Sequence, residues 1–547
     1  MALANTAFEA QRAAQVEGRK AELARIAAYL ASAHSADIRS PLVVTGAAGS
    51  GKSTVLAEAA KRAAVAYPGA ALLTRYCGVT PGTGSLSELL TDLRQAIARA
   101  YGQPEPAALP NLEELVAAFS VEQATLVAPP KRPLLLIVDA IDQLSAQPQR
   151  TDWLPPRLAP GVCVVVSVLA ERRELAILCD RLPAEQVLTL APLGLDAGRA
   201  ILRHLLDVAP RRTLSGEQED AVLVAFAVQG LPLYLRLAAS EACRWRSFDP
   251  PQLGMAPLPE TTEGLLEARL ARLEAPGRHG QALVAHALGD LAAASFGLAE
   301  DELLDLLARD PTVRATLHEL SPHSPPIDEQ LPLPVALWAR LHAEVEALLT
   351  EREMDGVRLA SFYHQQLRAA VEARYLAGSA ADAYHQALVG YFAEQPWQLG
   401  PRTWNWRKIR ELLLQQEATG DRAGAEQTLS ALVGTLQQAA SDMDDHEGIT
   451  TVDSIIAAVQ DRIITGGYWR LGMDMFTLQL AIAREVGDRA MEGTTLNNLG
   501  ALANNLGRTE EAARYYEQAL VIHEEIGAVD KARVVRENLA ELRGDSV

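Results

Sequence analysis

The chain has 547 residues, of which 49% are hydrophobic and 22% charged, values of an ordinary soluble globular protein. At roughly 150 residues per domain this length allows about three or four domains. Lys plus Arg number 50 against 69 Asp plus Glu, giving a formal charge of −19 that disfavours broad binding to nucleic acid or anionic membranes. The longest apolar runs, such as Gly161–Ala170, are half the ~20 residues of a membrane helix. No basic start followed by an apolar block marks a signal peptide. Cys77, Cys163, Cys179 and Cys243 are scattered without metal-ligand spacing and read as reduced thiols, so a cytoplasmic location is expected.

Up to about residue 240, apolar runs at Pro41–Thr45, Ala70–Tyr76, Leu134–Val138, Val162–Val168 and Val187–Leu190 alternate with helical stretches. Continuous apolar strands separated by helices predict a parallel sheet covered on both faces. Gly46-Ala47-Ala48-Gly49-Ser50-Gly51-Lys52-Ser53 fits G-x-x-x-x-G-K-[ST], directly after the first strand and before a helix-prone segment beginning at Thr54. Glycines let backbone N–H groups converge on phosphate oxygens, and the helix start adds its positive dipole end. Lys52 is placed to reach the β and γ phosphates and the Ser53 hydroxyl to ligate Mg²⁺. Asp139, at the tip of the apolar strand Leu134–Val138, suits the acidic side of that cation. Asp142 either orients and deprotonates the attacking water or caps a helix. Ser167, the polar member of Val162–Val168, either touches the γ-phosphate or bonds neighbouring backbone. Glu171-Arg172-Arg173 offers a transition-state arginine or a solvated run.

From about 263 to 376 the pattern is helical, interrupted by Pro322, Pro325, Pro326, Pro332 and Pro334. Beyond 380 amphipathic helices follow, with a polar break at Asp442–Gly448. The C-terminal end repeats itself at a spacing of 40: Val486-Gly487-Asp488 matches Ile526-Gly527-Ala528, Phe476 matches Tyr516, and Asn498-Leu499 matches Asn538-Leu539. Such a period in helical sequence predicts a solenoid of stacked helix pairs. Trp397, Trp404 and Trp406 read as packing at the joint that precedes it.

Together these residues resemble the STAND class of P-loop ATPases, and within it the NACHT type of nephrocystin-like and telomerase-associated-protein-like chains. Glu17-Gly18-Arg19-Lys20-Ala21-Glu22-Leu23 is similar to the family's helix ahead of the phosphate loop, and the resemblance implies that Arg19 flanks the nucleotide. Gly230-Leu231-Pro232-Leu233-Tyr234-Leu235 resembles the GLPL-type motif, implying that Pro232 packs on adenine. Pro334–Leu341 resembles the winged-helix segment. Phe362-Tyr363-His364-Gln365-Gln366-Leu367-Arg368 resembles the closing helix, implying that His364 contacts the ADP β-phosphate. Leu499, Gly500, Gly507, Ala512, Tyr516 and Ala519 resemble a tetratricopeptide repeat.

The resemblance implies an α/β P-loop NTPase followed by helical and winged-helix modules and an α-helical TPR solenoid. The expected boundaries are 1–200 for the NTPase domain, 201–262 for the helical lid, 263–395 for the winged helix and 396–547 for the repeats. The nucleotide-binding set is Arg19, Gly46, Ala47, Ala48, Gly49, Ser50, Gly51, Lys52, Ser53, Thr54, Pro232 and His364. Catalysis is assigned to Lys52 and Asp142, and Mg²⁺ to Ser53 and Asp139. Ala140 stands where relatives often have glycine, Gln143 where many are acidic, and Val166-Ser167-Val168 where Thr-Ser-Arg is usual, so slow ATP hydrolysis is implied. The implied function is an ATP/ADP-operated switch that senses a protein or peptide partner through its repeats, self-associates on activation, and acts through an effector in trans or missing from the chain. The alternative is a TPR interaction scaffold around a nucleotide-clamped, nearly inactive ATPase. A processive motor lacks an assignable pore loop, and DNA binding by the winged helix is opposed by the acidic balance.

Overall fold

The computed structural model describes residues 16–543 apart from 35–38, 78–84, 105, 107–111, 127, 130, 145–149, 209–211, 254–255, 321–326, 355, 401–402, 442–453, 457–458, 461 and 464–465. The break expected at Asp442–Gly448, and Pro322, Pro325 and Pro326, lie outside the described residues. The chain divides into one unit of residues 1–291 and 298–374 and another of 292–297 and 375–547.

The first unit opens with α1 (Lys20–Ala31), β1 (Leu42–Gly46), α2 (Lys52–Ala66), β2 (Ala71–Tyr76), α3 (Leu86–Ala100), α4 (Leu112–Thr125), β3 (Leu134–Asp139), β4 (Val162–Leu169), α5 (Arg173–Arg181) and β5 (Val187–Thr189). Its five strands pair in parallel in the order β2-β3-β4-β1-β5. All five expected strands are present, each displaced by no more than a residue at either end. Successive side chains of a strand face opposite ways, so a sheet apolar at every position needs cover on both sides. Val43, Leu136, Val138, Val164 and Val166 pack with Leu89 and Leu93 of α3 and Phe119 of α4. Leu42, Val44, Leu135, Ile137 and Val165 pack with Leu23 and Ile26 of α1 and Leu56 and Ala60 of α2. Because β4 lies between β1 and β3 in a parallel sheet, the C-terminal tips of these three strands share one edge with the phosphate loop that follows β1.

The same unit continues through α6 (Leu195–Val208), α7 (Gly216–Gln229), α8 (Pro232–Ala242) and α9 (Thr262–Glu274). Next come α10 (Gln281–Ala293), α11 (Glu300–Arg309), α12 (Pro311–Leu320), α13 (Val335–Val345), a hairpin of β6 (Leu349–Met354) and β7 (Val357–Phe362), and α14 (Gln365–Tyr375). Helices followed by a hairpin wing are the expected winged-helix arrangement, with Trp338 and Leu341 of α13 buried in it. Among the described residues no helix is long and apolar enough to cross a membrane.

The second unit holds α15 (Ala380–Glu394), α16 (Trp406–Ala418), α17 (Arg422–Ser441), α18 (Trp469–Val486), α19 (Arg489–Asn505), α20 (Thr509–Glu525) and α21 (Val529–Arg543). The 40-residue period has a conformational basis, since Gly487 and Gly527 follow α18 and α20 with φ of 71° and 70°. Phe476, Leu499, Tyr516 and Leu539 share one core with Trp404, and Trp397 and Trp406 pack against it. The tryptophan cluster thus belongs to the repeat core. A Cβ on Gly500 would lie 2.6 Å from the Tyr516 ring, so the small residue is what lets α19 and α20 approach.

His523 sits in the same helix stack, 1% exposed and with Nδ1 unpartnered. Burial and the nearby Lys531 push its imidazole down to about 4. The unfolded chain, with an ordinary imidazole near 6.5, takes up the proton first, so stability falls as pH drops from about 6.5 towards 4. Acidifying from pH 7 to 5 is expected to lower the repeat unit's stability by about 2 kcal/mol through this group alone. Thermal melts of His523→Gln over the same range should be correspondingly flatter. An equal slope in the variant would assign the acid sensitivity elsewhere.

Candidate functional site

The phosphate loop turns because three of its residues occupy conformations that favour glycine. Gly46, Gly49 and Gly51 have φ of 159°, 75° and 93°, and α2 begins at Lys52 with Gly51 as its N-cap. Space is limited as well. A Cβ at Gly46 would meet Ser50 Oγ at 2.9 Å, and one at Gly49 would meet Leu233 Cβ and Gln366 Oε1, each at 3.0 Å. Lys52 Nζ donates to the carbonyls of Gly46 at 2.8 Å and Ala47 at 3.0 Å, bridging the loop from beneath. Burial pushes the Lys52 amine down, opposed by Asp139 and Asp142. An anion bound in the cradle would supply the missing countercharge. Ser50 Oγ and Thr45 Oγ1 are buried without partners, as polar groups facing an absent ligand would be.

The acidic side is held by β4. The Ser167 hydroxyl, fully buried, donates to Asp139 Oδ1 and accepts the Ala140 N–H at 2.8 Å. Of the two roles open to Ser167, the structure places it on its neighbours. Asp142 Oδ1 accepts the Leu169 N–H at 3.1 Å, while Oδ2 is buried and unpartnered. Burial raises the Asp142 carboxyl, more than the Leu169 N–H and Lys52 lower it, and so increases its proton affinity. Both carboxylates therefore depend on the end of β4, which neither motif alone reveals. Glu171, Arg172 and Arg173 are exposed at the start of α5.

Between the carboxylates lies Ala140, with φ of 57°, the one non-glycine residue with positive φ among the described residues. This left-handed turn costs an L-residue about 1 kcal/mol, and the bonds from Ser167 and Asp142 hold it. Ala140→Gly is expected to stabilise the first unit by up to about 1 kcal/mol, offset in part by the freer unfolded chain. Urea unfolding of the two proteins reads the difference. A loss of stability would show that the alanine methyl contributes more than its backbone strain costs.

Three other segments close on the loop. Arg19, 4% exposed, donates from Nη2 to the Ser50 carbonyl at 3.1 Å and from Nη1 to Glu22 at 3.0 Å. The carbonyl of Gly49 accepts the Leu233 N–H at 3.4 Å, and a Cβ on Gly51 would lie 3.6 Å from the Pro232 ring. Pro232 is the first residue of α8, where a missing N–H costs nothing. The winged helix contributes Gln366, whose Oε1 is buried, unpartnered and directed at Gly49. His364 lies two residues earlier, its Nδ1 accepting the Gln366 N–H at 3.2 Å. Gln366 was thus the winged-helix side chain that the sequence did not single out. Its only signal was its place in the closing-helix segment.

Gln366 also ends a polar strap. Its Nε2 donates to Glu263 at 3.3 Å, the other Glu263 oxygen accepts from Gln229 at 3.5 Å, and Gln229 Oε1 accepts the Thr262 N–H at 2.9 Å. The strap connects the closing helix to the end of α7, immediately before the Gly230–Leu235 motif.

Known proteins fit this architecture. Residues 15–166 match the family described as AAA ATPase domain, 258–381 the NWD1-like winged helix-turn-helix domain, and 493–526 the tetratricopeptide repeat. Over 384 residues the chain is 32% identical to human NACHT domain- and WD repeat-containing protein 1, covering 69% of this chain and 24% of that protein. It is 29% identical to mouse NACHT and WD repeat domain-containing protein 2, covering 64% of this chain and 20% of the relative. The chain therefore spans about a quarter or less of the length of these relatives. A solved STAND protein with a tetratricopeptide repeat sensor from Pyrococcus horikoshii aligns over 96% of this chain and 80% of its own, at a TM-score of 0.40 and 15% identity. With an AAA-type phosphate site, an NWD1-like winged helix and tetratricopeptide repeats in that order, this chain is similar to the NACHT ATPases among its relatives.

Proposed function

We propose that the chain is an ATP/ADP-operated switch in which the lid and winged helix close over the phosphate loop, while the repeats sense a protein or peptide partner. The observation that carries this reading is the junction at Gly49, where Leu233 of the lid and Gln366 of the winged helix meet the same residue of the loop. A phosphate group bound there lies within reach of both modules, so nucleotide identity can bias their closure. Such a bias requires that ATP and ADP bind the open and closed forms unequally.

In this reading the modules run 1–200, 201–262, 263–395 and 396–547. Backbone N–H groups of residues 46–54 hold the phosphates, and Lys52 exchanges its loop carbonyls for phosphate oxygens. Arg19 fixes the loop through Ser50, Pro232 packs on the base, and His364 approaches the β-phosphate. The donor set suits Mg²⁺, because Ser53 and Asp139 offer hard oxygen ligands. When bound, the cation would neutralise phosphate charge. Asp142, with its free and proton-avid Oδ2, accepts the proton of the attacking water. Hydrolysis is slow in this reading because Val168 stands where the resemblance expects the sensing arginine. ATP then favours an open form that self-associates.

Asp142→Asn tests the catalytic assignment. It keeps an oxygen for the Leu169 N–H but removes the base, and is expected to slow ATP turnover by about 100-fold. Retained ATP should then shift light scattering towards larger assemblies. Unchanged turnover would remove Asp142 from the mechanism, and unchanged assembly size with ATP retained would favour a static scaffold.

A further inference from the structure

The lid and winged helix meet a second time, far from the phosphate loop. Glu344 lies one residue before the end of α13. Its Oε2 accepts from Arg244 at 2.7 Å and Arg272 at 3.2 Å, and its Oε1 faces His279 Nε2 at 3.2 Å. Its backbone carbonyl accepts from Arg269, and from Arg244 at 3.4 Å. Arg244 follows α8, whereas Arg269 and Arg272 belong to α9. One residue near the end of α13 thus gathers Arg244 from the lid together with Arg269 and Arg272 from α9, the helix that links lid and winged helix.

Two physical effects converge on this point. The last carbonyls of a helix have no partner within it and carry the negative end of its dipole, which cations satisfy. The three arginines also crowd one another. Glu241 is their other acidic partner, 3.1 Å from Arg272 and 3.9 Å from Arg244. Arg269 is 2% exposed, and its Nε and Nη1 are buried without partners, as is Arg272 Nε. Removing Glu344 would leave the buried Arg269, the half-buried Arg272 and the exposed Arg244 facing a single carboxylate, costliest for the guanidinium that water cannot reach. Burial pushes the Glu344 carboxyl up, but Arg244, His279 and Arg272 outweigh it and hold it below its ordinary range.

The hub is mechanically connected to the phosphate loop. It lies at the C-terminal end of α8, the helix whose first residues, Pro232 and Leu233, touch the phosphate loop. Eleven helical residues form a rod of about 16 Å between the two contacts. Midway, the Arg236 guanidinium lies 3.7 Å from the Tyr363 ring centroid, just ahead of the closing helix.

We propose that Glu344 is an autoinhibitory pin that holds the winged helix against the lid, so that α8 transmits closure of the hub to the phosphate loop. Release of Glu344 frees α13 and loosens the lid on the nucleotide. Only the nucleotide arm of this inference rests on the proposed switch.

The test is hydrogen exchange on the full chain, comparing wild type with Glu344→Gln, Arg244→Gln and the surface control Glu351→Gln, whose partner Arg358 is 3.6 Å away and exposed. In Glu344→Gln, amides of 335–345 and 232–244 are expected to exchange at least 10-fold faster, while β1 and β3 are unchanged. The dissociation of fluorescent ADP should quicken by a similar factor, and Glu351→Gln should match wild type. If Glu344→Gln does not fold, Arg244→Gln carries the test, with the same pattern expected at smaller amplitude. Unchanged exchange at 335–345, or acceleration spread evenly through β1 and β3, would overturn the pin. Accelerated exchange without any measurable ADP binding would uphold the pin while overturning the nucleotide reading.

Discussion

Lys52→Ala is expected to abolish retention of bound nucleotide without unfolding the chain. The lysine amine is buried at the start of α2 and bonded to two loop carbonyls, an arrangement that holds a cation beneath the phosphate cradle. Its charge-assisted bonds to phosphate oxygens would contribute about 3 kcal/mol, so its loss should weaken nucleotide binding by roughly 100-fold. The fold should tolerate the change because burial already disfavours the charged amine. Native mass spectrometry of wild type and variant, with circular dichroism as the folding control, makes the measurement. A variant that keeps nucleotide at wild-type occupancy would place the phosphate elsewhere.

Gly230→Ala is expected to destabilise the first unit by about 3 kcal/mol, through strain and collision together. Gly230 ends α7 in the left-handed conformation, with φ of 63°. A Cβ there would lie 2.7 Å from Pro192 Cβ and 2.9 Å from the Leu193 carbonyl oxygen. The Leu193 oxygen and the Leu193 nitrogen, 3.0 Å away, are backbone and cannot rotate away, and the Leu193 N–H also bonds the Gly230 carbonyl at 2.9 Å. Because Leu231 and Pro232 follow directly, the variant should also loosen the lid on the loop. Urea unfolding reads the stability, and a loss under 1 kcal/mol would mean that the α6 approach can relax around a methyl.

The parts legible in the sequence were those with a local physical cause. Apolar runs without alternation gave the parallel sheet, because every position of its inner strands except the last of β4 is buried. The spacing of Gly46, Gly51, Lys52 and Ser53 gave the phosphate loop, because backbone curvature and charge are needed at fixed offsets. Gly487 and Gly527 marked the repeat because both serve as left-handed helix ends. What stayed hidden depends on segments distant in the chain. Ser167 reads as one hydroxyl in a strand until β4 is seen between β1 and β3, where it bonds Asp139 and the strained Ala140. Gln366 and His364 are neighbours in one motif, and only the packing of α14 against the loop selects which one faces Gly49. Glu344 lies among ordinary helical charges, and its arginine partners come from positions 72 to 100 residues away.

Isothermal titration of the intact chain with ADP and ATP, with and without Mg²⁺, weighs most directly on the switch. One adenosine nucleotide should bind per chain, Mg²⁺ should strengthen ATP more than ADP, and Asp139→Ala should remove that difference. No heat and no bound nucleotide in folded wild-type protein would contradict the whole reading.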